Sequence, residues 1–413
     1  MNIDAILKKF KRFGVNLGLE RILSLLENLG NPHKQLNVIH VAGTNGKGSV
    51  CAYLSSVLTA AGYCTGRFIS PHLIDWTERI YLNEQPISST AFEELLLEVE
   101  AAIASDRPTP TQFEVITAAA WLYFAQKNVD VAVMEVGLGG RLDATNVCDR
   151  PLVAIITSIS REHWQRLGPT LADIAREKAG VLKPHRPAVL GQLPPEALAV
   201  VEKRIASLGC PPIWVEPASR LSPHSASYSG IEYPLPLAGE VQLLNSAIAI
   251  AAIGVLQEQG WSISKEAIRE GMANTKWPGR LQWITYRERR LLIDGAHNPA
   301  AARVLRQYVD TLNVESVSWV MGMLSTKEHA DVFRELLRKG DRLYLVPVPG
   351  HSSALPEQLA AIAKNISADL ELVETYADVF AALEVAVEGE KKRAIVLCGS
   401  LYLIGHFLSS INN

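Results

Sequence analysis

The chain has 413 residues, 48% of them apolar and 20% charged, with a formal net charge of -3. A chain of that length exceeds one hydrophobic core, so two domains are expected, and its near-neutral charge gives no electrostatic case for nucleic acid or a membrane as partner. No apolar run reaches the roughly 18 residues of a membrane span, and Met1-Asn2-Ile3-Asp4 with Lys8, Lys9, Lys11 and Arg12 lacks the apolar stretch of a signal peptide, so cytoplasm is the expected compartment.

The first strong element is the apolar run Val38–Ala42, a strand. It leads through Gly43-Thr44-Asn45-Gly46-Lys47-Gly48-Ser49 into a helix expected over Ser49–Ala61 and closed by Gly62. Apolar runs recur at Val129–Val136, Leu152–Ile159 and Ala188–Leu190, with helical stretches at Glu114–Gln126 and Leu171–Val181 between them. That alternation predicts a mostly parallel sheet covered on both faces. Pro211–Pro236 reads as short strands and loops, and Gln242–Gln259 as an Ala/Ile-rich helix. A second α/β series runs through Leu291–Ile293, Val317–Met321, Leu343–Val348 and Ala394–Leu397, with the boundary near Trp277-Pro278-Gly279-Arg280. The cysteines, Cys51, Cys64, Cys148, Cys210 and Cys398, form no Cys-x-x-Cys pair and read as buried thiols.

In the loop Gly43–Ser49 the glycines let backbone N–H groups converge on phosphate oxygens, and the helix that follows presents its positive end. Lys47 adds a charge and Ser49 a hydroxyl for Mg2+. Gly48 separates Lys47 from Ser49, where a strict P-loop joins them, so a ligand-free glycine turn stays open as the alternative. Glu135 ends an apolar strand just before Gly137-Leu138-Gly139-Gly140, where it can reach a metal held by the loop or simply cap the turn. His163 follows the next strand at the same carboxyl edge; alone it would be a surface or capping histidine. Lys178, near the end of its helix, reads as a solvated lysine that complements the helix dipole. Asp294 and His297, in Asp294-Gly295-Ala296-His297-Asn298-Pro299, can bind a ribose, a metal or a leaving group, or form an Asx-type turn into the helix starting at Pro299. Arg280 can bring a planar cation to a phosphate or serve as a hinge arginine.

Taken together, Gly43–Ser49, Ser70-Pro71-His72-Leu73 with Glu78-Arg79-Ile80, Phe113-Glu114-x-x-Thr117, Glu135–Asn146, Glu177-Lys178-Ala179-Gly180, Pro278-Gly279-Arg280, Asp294–Pro299 and Gly399-Ser400-Leu401-Tyr402-Leu403 resemble folylpolyglutamate synthase and dihydrofolate synthase, of the Mur ligase superfamily. Gly48 is part of the loop form this family uses. The resemblance implies a P-loop-containing N-terminal ATPase domain with a mostly parallel sheet over residues 1–281, including a folate-binding loop, and a smaller Rossmann-like α/β ligase domain over residues 282–413. It implies a monomeric ATP-dependent ligase in which a pteroate or folate carboxylate becomes an acyl phosphate and is attacked by L-glutamate.

Residue by residue, the resemblance gives the nucleotide Gly43, Thr44, Asn45, Gly46, Lys47, Gly48, Ser49, Asn245, Arg280, Asp294 and His297. It gives Mg2+ at two sites to Ser49, Glu135 and His163, adds K+, and makes Lys178 a carbamylated lysine. Lys47, His163, Lys178, Arg280 and His297 become the catalytic set, and Ser70, Pro71, His72, Arg79, Glu114 and Lys327 face the acceptor or glutamate. Ser158–His163 reads Ser-Ile-Ser-Arg-Glu-His where relatives often carry Gly-Leu-Asp before the histidine, and Thr326 stands where an Asp is common. Two other readings compete: a Mur-type amino-acid ligase with another acceptor, and a P-loop kinase or NTPase without ligation.

Overall fold

The computed structural model describes residues 3–10, 18–389 and 392–411; Met1, Asn2, Lys11 and Arg12 of the N-terminal reading lie outside them. Two compact units emerge. One holds the described residues up to Pro236 together with Gln242–Lys276, and the other holds Leu237–Val241 and Trp277 onward.

The first unit is built on an eight-stranded sheet. Its strands are β1 (Val38–Ala42), β2 (Thr65–Phe68), β3 (Ile80–Leu82), β4 (Gln85–Pro86), β5 (Val131–Glu135), β6 (Val153–Ile156), β7 (Ala188–Leu190) and β8 (Pro212–Trp214), in the order β4-β3-β2-β5-β1-β6-β7-β8. From β2 to β8 every pairing is parallel, and only β3 and β4 run antiparallel at one edge. All five residues of β1 and all five of β5 are buried, which is why these strands read as unbroken apolar runs rather than alternating ones. Register places Val41 opposite Glu135, and Ala42 opposite Ile156. The loop after β1, the carboxylate ending β5 and the segment after β6 therefore leave the same edge of the sheet, where open α/β sheets bind ligands.

The helix after β1 spans Lys47–Ala60 and starts two residues earlier than its sequence suggested, directly from Gly46. It packs on the helix Lys265–Asn274, where a Cβ on Gly271 would lie 2.3 Å from Val57 Cα. Ser56 Oγ donates to Gly271 O at 2.6 Å. The Ala/Ile-rich helix spans Val241–Glu258, with Ile248, Ala252, Ile253 and Leu256 among its buried residues. It is apolar and long enough to cross a membrane, but 67% of it is buried inside the fold, as an all-round apolar helix in a large core should be. Beside it, β9 (Ser219–Ser222), β10 (Ser225–Tyr228) and β11 (Ile231–Pro234) form a small antiparallel sheet.

The second unit carries β12 (Gln282–Tyr286), β13 (Arg289–Ile293), β14 (Val317–Met321), β15 (Arg342–Leu345), β16 (Leu372–Thr375) and β17 (Ala394–Cys398), in the order β12-β13-β17-β14-β15-β16. Only the β12–β13 hairpin is antiparallel. Trp319, Phe333, Leu292 and Val396 centre its core, to which Ala238 is added from the short segment before Val241.

Close helix packing at Gly271 sets a test. Gly271→Ala should cost about 1–3 kcal/mol, because the added methyl meets the backbone at Val57. Gly254→Ala, in a helix interior with nothing within 4 Å of the added carbon, should instead stabilise by about 0.5–1 kcal/mol. Urea unfolding of the two variants measures both, and equal stabilities would refute the packing argument.

Candidate active site

The chain leaves β1 through Gly43 (φ 147°) and Gly46 (φ 88°), conformations that side chains rarely adopt. Space is missing too: a Cβ on Gly43 would lie 2.0 Å from Thr157 Oγ1, and one on Gly46 would lie 2.5 Å from Asn245 Oδ1. The segment after β6 clamps the loop. Thr44 N donates to Ser158 O (2.8 Å), Ser160 N to Thr44 Oγ1 (3.0 Å), Asn45 N to Ser158 Oγ (3.1 Å), and Thr157 Oγ1 to Asn45 O (2.7 Å). Thr157 escaped the sequence reading, and Ser158 entered it only as part of the departure before His163; their signal was a pair of hydroxyls at the end of an otherwise apolar strand. Gln242 escaped it as well. Its Nε2 donates to Ser49 Oγ (3.4 Å), and its Oε1 accepts from Asn245 Nδ2 (3.2 Å).

Lys47 Nζ donates to Thr44 O (3.2 Å) and lies 3.8 Å from Glu135 Oε1. Glu135 is only 4% exposed, and its Oε2 accepts from Ser70 N (3.2 Å). Ser49 and Glu135 offer the hard oxygens that Mg2+ takes. That ion usually binds one or two protein carboxylates and leaves the rest of its shell to phosphate and water. The Ser49 hydroxyl and the buried Glu135 carboxylate are donors of that kind, so the residues fit; among the described residues no three of His, Cys, Asp and Glu gather into a cage. His163 stands in the left-handed region (φ 52°) before a short helix, with 47% of its side chain exposed and Nε2 3.9 Å from Glu162 Oε1.

Lys178 corrects the sequence reading of a solvated lysine. It is 5% exposed, and its Nζ donates to Gly43 O at 2.6 Å. Burial first, then the nearby charge of Lys47, lowers its pKa to about 7, against a smaller opposing pull from Glu162 and Asp143. The glycine-rich loop after β5 is fastened to the same helix end. Arg141 N donates to Glu177 O (2.8 Å), and Asn146 Nδ2 donates to Gly180 O (3.1 Å).

The Ser70–Arg79 segment begins with a cis Ser70–Pro71 peptide and folds on itself. His72 Nδ1 accepts from Arg79 Nε (3.0 Å), and the Arg79 guanidinium lies 4.9 Å over the Trp76 ring. Glu114 is held locally: it closes a capping box with Thr111 and pairs with Arg21 at 3.0 Å. In the second unit Asp294 directly follows β13, buried, accepting from Leu281 N and Ala296 N at 2.8 Å each. Burial raises its pKa, opposed chiefly by the Arg280 guanidinium. His297 Nδ1 is 2.7 Å from Gly295 O, and a Cβ on Gly295 would lie 2.2 Å from Arg280 Nη1, so Arg280, Asp294 and His297 form one group. Asn298 caps the next helix, accepting from Ala301 N. Lys327 is half-buried in the turn after β14, its backbone N donating to Leu324 O (3.2 Å).

A glycine-rich loop after a buried parallel strand, a carboxylate beside its lysine and a second α/β unit are the features of an ADP-forming ligase of Mur type. The family model described as Mur ligase middle domain matches residues 41–194, and that described as Dihydrofolate synthetase, C-terminal domain, matches residues 280–410. Folylpolyglutamate synthase of Lacticaseibacillus casei is 35% identical over 97% of this chain and 95% of its own. Dihydrofolate synthase/folylpolyglutamate synthase of Escherichia coli is 36% identical over 96% and 92%. Mycobacterium tuberculosis folylpolyglutamate synthase, solved with ADP and AMPPCP, superposes with a TM-score of 0.89 at 30% identity, covering 100% of this chain and 98% of that one. E. coli FolC in complex with DHPP and ADP gives 0.86 at 32%, covering 99% and 96%. The chain belongs to the folylpolyglutamate synthase/dihydrofolate synthase family.

Burial of Lys178 has a measurable consequence. Its folded pKa, near 7, lies below its ordinary 10.5, so between those values the unfolded chain binds more protons and stability rises with pH. The slope from this residue reaches at most about 1.4 kcal/mol per pH unit. Lys178→Met removes that contribution, so in CO2-free buffer the variant should gain stability over the parent at pH 7 and lose the advantage towards pH 10. Parallel urea curves for the two at every pH would contradict the burial.

Proposed function

We propose that this protein joins L-glutamate to the carboxylate of a pteroate or folate acceptor, using ATP and releasing ADP and phosphate. The observation that carries the reading is the convergence of Lys47, Glu135 and Lys178 on one phosphate-type loop. A carboxylate acylates an amine poorly until one of its oxygens becomes phosphate, and phosphoryl transfer chiefly requires positioning and charge neutralisation. The amides of Gly43–Ser49 and Lys47 Nζ hold the phosphates, with Lys47 leaving Thr44 O to do so. Ser49 and Glu135 would hold Mg2+, with Glu135 and His163 at a second site; the ion neutralises charge on the phosphates when bound. Asn245, whose Oδ1 lies beside Gly46, is assigned to the nucleotide. Arg280, Asp294 and His297 are assigned nucleotide and leaving-group roles, and the Ser70–Arg79 segment is assigned the pterin.

The test measures ADP release and product mass with dihydropteroate and with tetrahydrofolate, each with Mg2+, ATP and L-glutamate. A gain of one glutamyl unit on at least one acceptor is expected, and which acceptor gains it decides between synthase activities. ADP release independent of acceptor and glutamate would favour a plain NTPase. Lys47→Ala and Glu135→Ala should each lower turnover at least about a hundredfold with the fold intact, the loss typical of removing one preorganised charge-stabilising group; near-parental turnover in either would remove that residue from the site.

Lys178 is proposed to be carbamylated. A neutral amine is the form that adds CO2, giving a carbamate and releasing one proton, and a pKa near 7 leaves about half of the amine neutral at pH 7. The resulting anion would lie beside the phosphate loop, where it can support a metal site through water. Carbon-13 NMR in labelled bicarbonate should give a carbamate signal that Lys178→Met abolishes; a spectrum unchanged by that substitution would refute the assignment.

A further inference from the structure

Beneath the loop, β1 carries His40 at 0% exposure, a residue that no part of the proposed chemistry uses. Its Nε2 lies 2.9 Å from Thr145 Oγ1. Thr145 Oγ1 in turn donates to Asp143 Oδ1 at 2.6 Å, and that oxygen also accepts from Thr145 N at 3.1 Å. Asp143 Oδ2 accepts from Leu138 N at 2.8 Å. A hydroxyl has one proton, and Thr145 has given it to the carboxylate, so the proton between His40 and Thr145 belongs to the histidine. His40 therefore carries its proton on Nε2; burial, and then the charge of Lys183, lower its pKa to about 3, so the ring is neutral, and its Nδ1, buried without a hydrogen-bond partner, is a bare acceptor. Leaving a buried acceptor unpaired costs about 1–3 kcal/mol, a cost that packing alone would avoid with an apolar residue in an otherwise apolar strand.

We propose that His40 is a positioning residue which, through Thr145 and Asp143, fixes the glycine-rich loop that sets Glu135 and Lys178 in the active site. The path is short at both ends. Leu138, whose N–H the carboxylate holds, is three residues beyond Glu135 at the tip of β5. Arg141 and Asn146, on either side of Asp143, are bonded to Glu177 O and Gly180 O around Lys178. The carboxylate thus determines where the loop lies between the two groups, the threonine hydroxyl orients the carboxylate, and the histidine proton orients the hydroxyl. Outer partners of this kind hold the residues that touch a metal or substrate in register.

The inference rests on the roles assigned above to Glu135 and Lys178, but its first arm reads His40 alone. In nitrogen-15 histidine NMR, one ring identified by its loss in His40→Gln should stay neutral and Nε2-protonated from pH 5 to 8, with that proton slow to exchange. Thr145→Val, close in shape to the parent, should make the proton exchange rapidly and lower kcat at least about tenfold, with KM for ATP within about twofold. Thr145→Ser, which keeps the hydroxyl, should restore both readouts. A His40 ring that titrates or is protonated at Nδ1 overturns the proposal, as does parental kcat in Thr145→Val or equal loss in the valine and serine variants. If Thr145→Val fails to fold, the tautomer in the parent and the serine variant still decides. A parent without ligase activity would refute the function while leaving the NMR result to stand or fall separately.

Discussion

One hydrogen bond organises the first unit's site: Lys178 Nζ to Gly43 O, 2.6 Å, out of contact with solvent. A lysine is hardly ever buried without strong compensation. This one reaches across from the helix Leu171–Lys178 to the first residue of the phosphate loop, and it does so with a proton affinity lowered by burial and by Lys47. Helix end, phosphate loop and glycine-rich loop are thereby brought into one network. Gly43 must be glycine to make that turn against Thr157, and only in that turn is its carbonyl placed for the lysine.

The sheet explains why so few residues suffice. Parallel strands β5, β1 and β6 lie side by side, and each ends at the same edge with a different chemical group: Glu135, the loop Gly43–Ser49, and Thr157–His163. Strand pairing has already fixed their relative positions before any side chain forms a bond, so the side-chain hydrogen bonds need only refine them. Asp294 with Arg280 and His297 repeats the logic in the second unit at the end of β13. There the Arg280 guanidinium and two backbone N–H groups offset the burial of the carboxylate.

Much of this was legible in the sequence because buried parallel strands are continuous apolar runs; β1, β5, β14 and β17 announce themselves. β2 does not, since Thr65-Gly66-Arg67-Phe68 contains a buried arginine whose charge is met by Glu84 from distant sequence. The β12–β13 hairpin was also hidden. Its turn residues Arg287 (φ 46°) and Glu288 (φ 61°) adopt left-handed conformations normally signalled by Asn-Gly or Asp-Gly. In the site, the glycine loop and Glu135 carried local signals. Lys178 did not, because its burial depends on a contact with a residue 135 positions away, and helix periodicity reports only neighbours. Gln242 was hidden for the same reason, its amide meeting Ser49 across 193 residues.

The two lysines of the site answer opposite electrostatic demands. Lys47 keeps partial access to solvent, its Nζ donating to Thr44 O and lying beside Glu135. The 3.8 Å separation from that carboxylate is loose enough to give way to a phosphate, a stronger and more highly charged acceptor. Lys178 cannot move so freely, being buried and fixed to Gly43. The proposed carbamylation would change its charge at a fixed place. If both remained cations, each would raise the cost of the other in a low-dielectric setting, and Glu135 would be drawn to lysine rather than to a divalent ion. The proposed conversion of Lys178 to an anion would reverse the sign of the interaction with Lys47, holding the loop lysine towards the site and favouring a cation beside Glu135. The same geometry would then serve both the proposed grip on phosphate and the charge neutralisation on which acyl phosphate formation depends.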